Sequence, residues 1–396
     1  MDTCQVVIAG AGPVGSFAAY CLAEKNIEVI VVEADDRCAT DMRASTFHPP
    51  TLEMLNAIGV AEPLIDQGLK APIYRHRDRQ TGQYIEFDFS ELHDATQYPY
   101  RLQCEQFKMA ELLTQKLAKH PKADVRFKNR IVHFEQFANH VDVNVETNLN
   151  VEKIRANYLI GADGANSIIR KWLNLNFEGF TYPEKFLTLS TPAPIDQYID
   201  DLCYVNYVSD PKEWLVLLRV PTAWRILAPA HEDDDVLTSD AYKDGLFSRL
   251  LQSDDKITTN HRTVYKVHQR VVEKYNTGRV IVIGDAAHLN NPLGGFGMNS
   301  GLHDAWSLTS ALSNIFHHGG NATALLDSFD DERRSVMRSF IQAQTIKNKK
   351  AMEATSGEAQ QAYVKELRNI SNNSARRREF LLFQSMLKYP KLANAA

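Results

Sequence analysis

The run Val6-Val7-Ile8-Ala9-Gly10-Ala11-Gly12-Pro13-Val14-Gly15 decides the fold. Its first four residues are continuously apolar, the pattern of a strand buried on both faces. Three glycines follow at the spacing Gly-x-Gly-x-x-Gly. Residues 16–25 then read as a helix, with Phe17, Tyr20, Cys21 and Leu22 spaced along one side. A second apolar run, Glu28 to Val32, ends at Glu33. The unit is strand, turn, helix, strand, for which a right-handed crossover is expected. At such a turn the first glycine permits the bend. The second leaves room for a pyrophosphate, and the third lets helix and strand pack closely. The helix start offers free N–H groups and a partial positive charge. A carboxylate about 20 residues on, here Glu33, suits ribose hydroxyls. These features alone do not separate FAD from NAD.

Working outward, residues 51–59 read as a short amphipathic helix and 73–89 as a hairpin around Thr81-Gly82. Ile85, Phe87 and Phe89 alternate with Glu86 and Asp88, the period of a half-buried strand. A helix is expected from about Glu105 to Lys119. A meander follows, with Val141, Val143 and Val145 alternating with polar residues. It closes on Tyr158-Leu159-Ile160-Gly161. From 180 to 270 aromatics and prolines become frequent, and helical patterning is weak except near 240–252. This stretch reads as a mostly β second lobe. Val280-Ile281-Val282-Ile283 restores the buried-strand signal, and helices dominate thereafter. The expected division is 1–178 and 275–345 for a two-part nucleotide domain, 179–274 for a β-rich lobe, and 346–396 for a helical C-terminal segment.

Composition sets outer bounds. The 396 residues are 44% hydrophobic and 23% charged, ordinary globular usage that rules out wholesale disorder. A net charge of −5 gives no electrostatic footprint for nucleic acid. Five cysteines stand at 4, 21, 38, 104 and 203 with no C-x-x-C pair, so neither a disulfide framework nor a zinc site is expected. Met1-Asp2-Thr3-Cys4 lacks a basic leader, and no stretch approaches 18 apolar residues. A cytoplasmic protein without a transmembrane segment is expected. The last 66 residues carry thirteen Lys or Arg against six acidic side chains. A solvated helix face is the favoured reading there, over contact with acidic lipid or nucleic acid.

Two further motifs carry chemistry. Gly161-Ala162-Asp163-Gly164-Ala165-Asn166-Ser167-x-x-Arg170 ends a strand in Asp-Gly, which by itself is an ordinary turn pair. Gly284-Asp285-Ala286-Ala287-His288-x-x-x-Pro292-x-Gly294-Gly295-x-Gly297-Met298-Asn299 puts an aspartate after a buried strand, then glycines that let backbone N–H groups reach a flat ring. A helix starting near Asn299 aims its positive end at that ring, which suits a reduced, anionic flavin.

Taken together, the three motifs resemble the class A flavoprotein monooxygenases, the para-hydroxybenzoate hydroxylase-like family. The likeness covers residues 1–180 and 275–345, and the middle lobe in character only. It implies an α/β (α+β) protein with a Rossmann-like FAD-binding domain, a β-rich substrate lobe and C-terminal helices. It places Gly10, Gly12, Gly15 and Glu33 at the ADP part of FAD, and Asp163 where FAD and NAD(P)H share a motif. Asp285 falls at the ribityl chain, and Gly297, Met298 and Asn299 along the isoalloxazine. Pro292 matches a proline beside the flavin that faces substrate. Arg43 matches an arginine near the pyrophosphate, and Gln103 a glutamine that contacts FAD. At this length the compact branch, without the thioredoxin-like domain of some relatives, is expected. A homodimer is implied by family habit.

The implied activity is hydroxylation of a small phenolic or heteroaromatic ring. NADH or NADPH reduces the flavin, and O₂ adds to give a C4a-hydroperoxide that attacks the ring. The protein excludes water and supplies no nucleophile. A proton acceptor near the ring is expected, since phenolates react better than phenols. Candidate wall residues are Tyr204, Tyr207, Trp214, Leu217, Arg219 and Arg225, with Arg219 a possible anchor for an anionic substrate or a structural ion pair. His48 and His288 are candidate relays or satisfied core histidines. Two rivals stay open: an FAD-dependent reductase or epoxidase acting on a non-aromatic or isoprenoid compound, and a non-catalytic flavin-binding sensor.

Overall fold

The computed structural model describes residues 1–40, 44–210, 213–353 and 357–388. Two eight-stranded sheets and a small three-stranded one organise the chain. The first sheet has a parallel centre: Val280–Val282, Val151–Gly161, Asp2–Ala9, Val29–Val32 and Ala123–Arg126, in that spatial order. Val6, Val7 and Ile8 are fully buried there, as their unbroken apolar run requires. The helix Pro13–Glu24 covers one face, and the long helix Phe296–His318 packs against it. The antiparallel strands Arg130–Gln136 and Val141–Glu146 extend the sheet beside Val151–Gly161.

The second sheet runs His288–Leu289, His261–Val272, Phe177–Thr191, Ala223–Ala230, Leu215–Val220, Val205–Ser209, Ile73–Asp78, Tyr84–Asp88. Its two faces carry separate cores. Val205, Tyr207, Val216, Tyr74, Phe87 and Phe186 fill one side. Leu215, Leu217, Trp224 and Ile226 fill the other, under the helix Asp240–Leu251. Strand alternation alone assigns these faces.

The hairpin around Thr81-Gly82 forms as the alternation predicts, but Ile73–Asp78 pairs in parallel with Val205–Ser209. Residues that precede the second lobe by over a hundred positions thus complete its sheet. The C-terminal helices Gly357–Ser371 and Ser374–Gln384 close over this hairpin. Their basic residues have local answers: Arg376 to Glu366, Arg377 to Glu91, Arg378 to Asp94, at 2.7–2.8 Å. With Arg333 on Asp304, Arg334 on Asp330, Arg338 on Glu178 and Lys349 on Glu184 as well, most of the tail's excess positive charge is spent within the fold. Among the described residues no helix is long and apolar enough to cross a membrane, and no cluster of ligating side chains suits a metal.

Candidate active site

Four strand ends lie level at the carboxyl edge of the parallel sheet. Gly10 N donates to Val32 O at 2.8 Å, Ala162 N to Ala9 O at 2.9 Å, and Ile283 N to Gly161 O at 2.9 Å. These bonds bring Gly10, Glu33, Asp163 and Asp285 to one edge, although they are scattered through 275 residues of sequence. In open α/β sheets this edge is where ligands bind.

The glycines of the first turn divide by purpose. A Cβ on Gly15 would sit 2.0 Å from Gly10 O, and one on Gly10 would sit 2.6 Å from Ala162 O. Protein packing forbids side chains at both. A Cβ on Gly12 would meet nothing within 4 Å, and its φ of −67° is open to any residue. Gly12 thus leaves space that the protein does not fill. It also caps a helix whose first turn has no side-chain cap and no acidic residue. The uncapped N–H groups and that open space suit a diphosphate.

Glu33 reaches back to the turn, accepting from Ala11 N at 2.7 Å and Asp35 N at 3.0 Å. Asp163 caps the helix Ile168–Trp172 through Oδ2, which accepts from Ile168 N and Ile169 N at 2.7 and 3.2 Å. Its other oxygen, Oδ1, is buried without a partner. An orphaned carboxylate oxygen at this edge fits a ligand hydroxyl or amide. Asp285 is exposed at the same edge. Arg170 ties the two aspartate motifs together, donating to Ala286 O at 2.9 Å and Ala165 O at 2.7 Å.

The loop from Pro292 to Gly295 leads from the strand His288–Leu289 of the second sheet into the helix Phe296–His318. Gly294 and Gly295 hold φ of +107° and +70°, in the region that favours glycine. A side chain on Gly294 would strike the Phe296 ring at 2.3 Å. Asn299, fully buried, fixes the loop. Its Nδ2 donates to Thr46 O and Gly295 O at 2.8 and 2.6 Å, and its Oδ1 accepts from His48 N and Thr51 Oγ1 at 3.0 and 2.7 Å. An amide has two donor hydrogens and two strong acceptor positions. All four are used within the protein, so the Asn299 side chain positions the loop and holds nothing in reserve for a ligand. Gln103 is likewise buried and bonds to Thr46 Oγ1.

His48 donates from Nε2 to Gly294 O at 2.9 Å, since a carbonyl only accepts, and its ring stacks on Phe296 at 5.4 Å. Burial first, then the charge of Arg101, holds it well below the ordinary histidine range, so it is neutral. Beneath the loop, Asp304 accepts from His288 Nε2 at 2.7 Å, Arg333 Nε at 2.8 Å and Gly284 N at 3.1 Å. Burial alone would push the Asp304 carboxyl up. His288 and Arg333 outweigh it and hold the carboxyl below the usual range. His48 and His288 are therefore both fixed in place by the loop and its support.

Between the second sheet and the C-terminal helices lies a cavity of about 60 Å³ whose lining includes His76, Tyr207, Met352, Tyr363, Phe380 and Gln384. Asn348, also in its wall, donates to Leu293 O at 3.3 Å, which joins the cavity to the residue after Pro292. Tyr207 stacks on His76 at 5.1 Å, and Tyr363 meets His76 edge-on at 5.9 Å. Burial and, secondarily, the Arg101 charge push His76 down to about 3, so it too is neutral.

Comparison with known proteins decides the family. A family model described as an FAD binding domain matches residues 3–344. The chain is 30% identical to the 6-hydroxy-3-succinoylpyridine 3-monooxygenase HspB of Pseudomonas putida, over 97% of this chain and 98% of that protein. It is 30% identical to a para-nitrophenol 4-monooxygenase from a Pseudomonas species, over 85% and 84% of the two chains. The crystal structure of the p-nitrophenol 4-monooxygenase PnpA from Pseudomonas putida superposes with a TM-score of 0.91 at 26% identity, covering 98% and 99%. The chain belongs to the class A FAD-dependent aromatic monooxygenases.

The open Gly12, the uncapped helix and the orphaned Asp163 Oδ1 fit the FAD that this family binds. Of the substrate-side candidates in this monooxygenase, Tyr207 lines the cavity and Trp214 belongs to the same core. Arg219 does not reach the cavity. It shares strand parity with Leu215 and Leu217, on the opposite face, and lies over the Trp224 ring at 5.7 Å. Tyr204 is 41% exposed, before the strand begins. Arg225 is buried away from the cavity lining. Arg43 lies outside the described residues. Sequence reading missed His76, Arg101, Tyr363 and Asp304. For His76 a signal existed: it precedes Arg77 on a strand whose in-phase neighbour is the buried Tyr74.

Proposed function

We propose that this monooxygenase hydroxylates a small phenolic or hydroxypyridine ring. NADH or NADPH supplies two electrons, and O₂ supplies one oxygen atom to the ring and one to water. The observation that carries the substrate class is the aromatic cavity walled by His76, Tyr207, Tyr363 and Phe380, which Asn348 links to the Pro292 loop. Flat rings stack on such walls, and the flexible Met352 adapts to substituents. The named relatives, which act on a hydroxypyridine and a nitrophenol, support the same class.

In this reading bound FAD supplies the redox and oxygen chemistry, and the chain's residues hold and orient. The proposed FAD contacts are Gly10, Gly12, Gly15 and Glu33 for the ADP part, with Arg43 and Asp163 nearby. Asp285 takes the ribityl chain. Gln103, Gly297, Met298 and Asn299 shape the ring site, Asn299 through the loop it fixes. Pro292 and Tyr207 face the substrate. His76, half-buried in the cavity wall and neutral, hydrogen-bonds the oxygen of the bound ring. The two-part FAD domain, β-rich lobe and helical end form the proposed working division, with the 73–88 hairpin serving the lobe. A cytoplasmic location is proposed on five unpaired thiols.

The test is oxidation of NADH or NADPH by the FAD-loaded protein across phenols, hydroxybenzoates and hydroxypyridines. Stimulation by at least one ring, with hydroxylated product and little hydrogen peroxide, is expected. Peroxide alone, or no stimulation by any ring, contradicts the proposal.

A further inference from the structure

Arg101 is 1% exposed. Its guanidinium packs against the stacked pair Tyr74 and Phe89, 4.8 and 4.9 Å from their ring centroids, which are themselves 5.4 Å apart. One nitrogen, Nη2, donates to Gln384 O at 3.0 Å. Its Nε has no partner, and neither does the buried hydroxyl of Tyr74. Among the described residues no carboxylate lies within ion-pair distance of it. Other buried arginines are better answered: Arg333 meets Asp304 at 2.8 Å, and Arg170 donates to two carbonyls. A guanidinium taken out of water without a counter-charge carries a large desolvation cost, only partly offset by two ring faces and one carbonyl.

The surroundings show where the missing anion belongs. Gln384, whose carbonyl Arg101 meets, lines the cavity. Tyr74, whose face it covers, touches two further cavity residues edge-on, His76 at 5.7 Å and Tyr207 at 6.1 Å. Arg101 therefore stands one side chain behind the cavity wall. The titratable groups facing it do not cancel its charge. His48 and His76 are neutral, and burial raises Tyr74 and Tyr363 above the ordinary tyrosine range. The remaining charged groups of the lining, Lys347 and Glu366, are exposed at the rim, and Glu366 is paired with Arg376 at 2.7 Å. The interior next to the cavity holds one uncancelled positive charge.

We propose that Arg101 selects the ionised form of the substrate: its buried charge makes the cavity favour a phenolate or pyridinolate over a neutral ring of the same shape. This rests on the functional reading above and adds the charge state of the substrate to it. Arg101 acts through the Tyr74 and His76 wall and is a positioning residue. A unit charge acting across about 7 Å at an effective dielectric near 20 favours the anion by more than tenfold. Bound ligand should then ionise about one pH unit or more below the free compound.

The probe is 4-nitrophenol, whose phenolate absorbs in the visible, titrated with pH on the FAD-loaded protein without reductant. Nitrobenzene serves as the neutral counterpart. In the wild type the bound phenol is expected to ionise about one pH unit or more below free phenol. Arg101→Met should return ionisation close to the free value and weaken phenolate binding tenfold or more, with nitrobenzene binding changed less than threefold. Arg101→Lys, which keeps the charge, should retain most of the preference. FAD content and the thermal transition are measured for each variant. A wild-type bound phenol that ionises at or above the free value overturns the proposal without any variant. So does an unchanged phenolate-to-nitrobenzene ratio in a folded Arg101→Met. If the wild type binds neither these rings nor any of a wider panel, the functional reading falls with it. Binding of both rings without charge preference overturns the role of Arg101 alone.

Discussion

Replacing Gly12 and Gly15 by alanine separates ligand space from protein packing. At Gly12 the added methyl meets no atom within 4 Å, and φ is −67°. The apoprotein loses roughly 0.5–1 kcal/mol in helix capping and regains a similar amount from the stiffer unfolded chain. Its unfolding free energy should move by less than about 0.5 kcal/mol. At Gly15 the methyl lands 2.0 Å from Gly10 O, so helix and strand must part by over an ångström. Overpacking of this kind costs roughly 1–3 kcal/mol or more. FAD binding should fall in both variants, for different reasons. In Gly12→Ala the methyl occupies the diphosphate space, and a loss of about 10- to 100-fold, or roughly 1.4–2.8 kcal/mol, is expected. The assay pairs urea unfolding of the apoprotein with FAD titration by flavin fluorescence. Wild-type FAD affinity in Gly12→Ala would refute the assignment of that open space to the cofactor. Equal destabilisation of both apoproteins would refute the packing argument.

Three further outcomes follow from the same geometry. Asn299→Asp keeps the acceptor half of the amide and turns its donor half against two carbonyls. It should cost roughly 3–5 kcal/mol and deplete FAD, measured by denaturation and by flavin content. Asp304 has a lowered folded pKa, so the stability it adds is present above the carboxylate range and is lost as pH falls through the folded value. Asp304→Asn should lower the thermal transition by several degrees at pH 7, with the gap to wild type narrowing in acid, because a broken buried pair costs about 3–5 kcal/mol. Tyr207→Ala should raise KM for an aromatic substrate tenfold or more, whereas Tyr204→Ala, at a 41% exposed position, should leave it within about twofold.

What the sequence made legible was local. Val6 to Gly15, Tyr158 to Gly164 and Val280 to Asn299 each hold strand, turn and ligand-facing residues in one stretch, so their chemistry shows in order and spacing. The parallel pairing of Ile73–Asp78 with Val205–Ser209 leaves no such mark, because each strand's pattern fits several partners. Arg219 illustrates a related limit. Its alternation with Leu215 and Leu217 was visible, but which face of the sheet meets the cavity depended on that distant hairpin and the C-terminal helices. Asn299 was legible as part of the flavin loop and not as its internal brace, since its partners Thr46, His48 and Thr51 come from the first fifth of the chain. Arg101 and the cavity residues Tyr363 and Gln384 lie more than 250 positions apart in sequence, and the closing of helices Gly357–Ser371 and Ser374–Gln384 over the hairpin brings them together.

The most direct test of the central claim is the fate of labelled oxygen. The FAD-loaded protein would be turned over under ¹⁸O₂ with NADH or NADPH and the ring compound that best stimulates oxidation. Hydroxylation by this site predicts one ¹⁸O atom in the aromatic product, with one reduced nicotinamide consumed per product formed. Product without label, or nicotinamide oxidised with all the oxygen recovered as hydrogen peroxide, would contradict it.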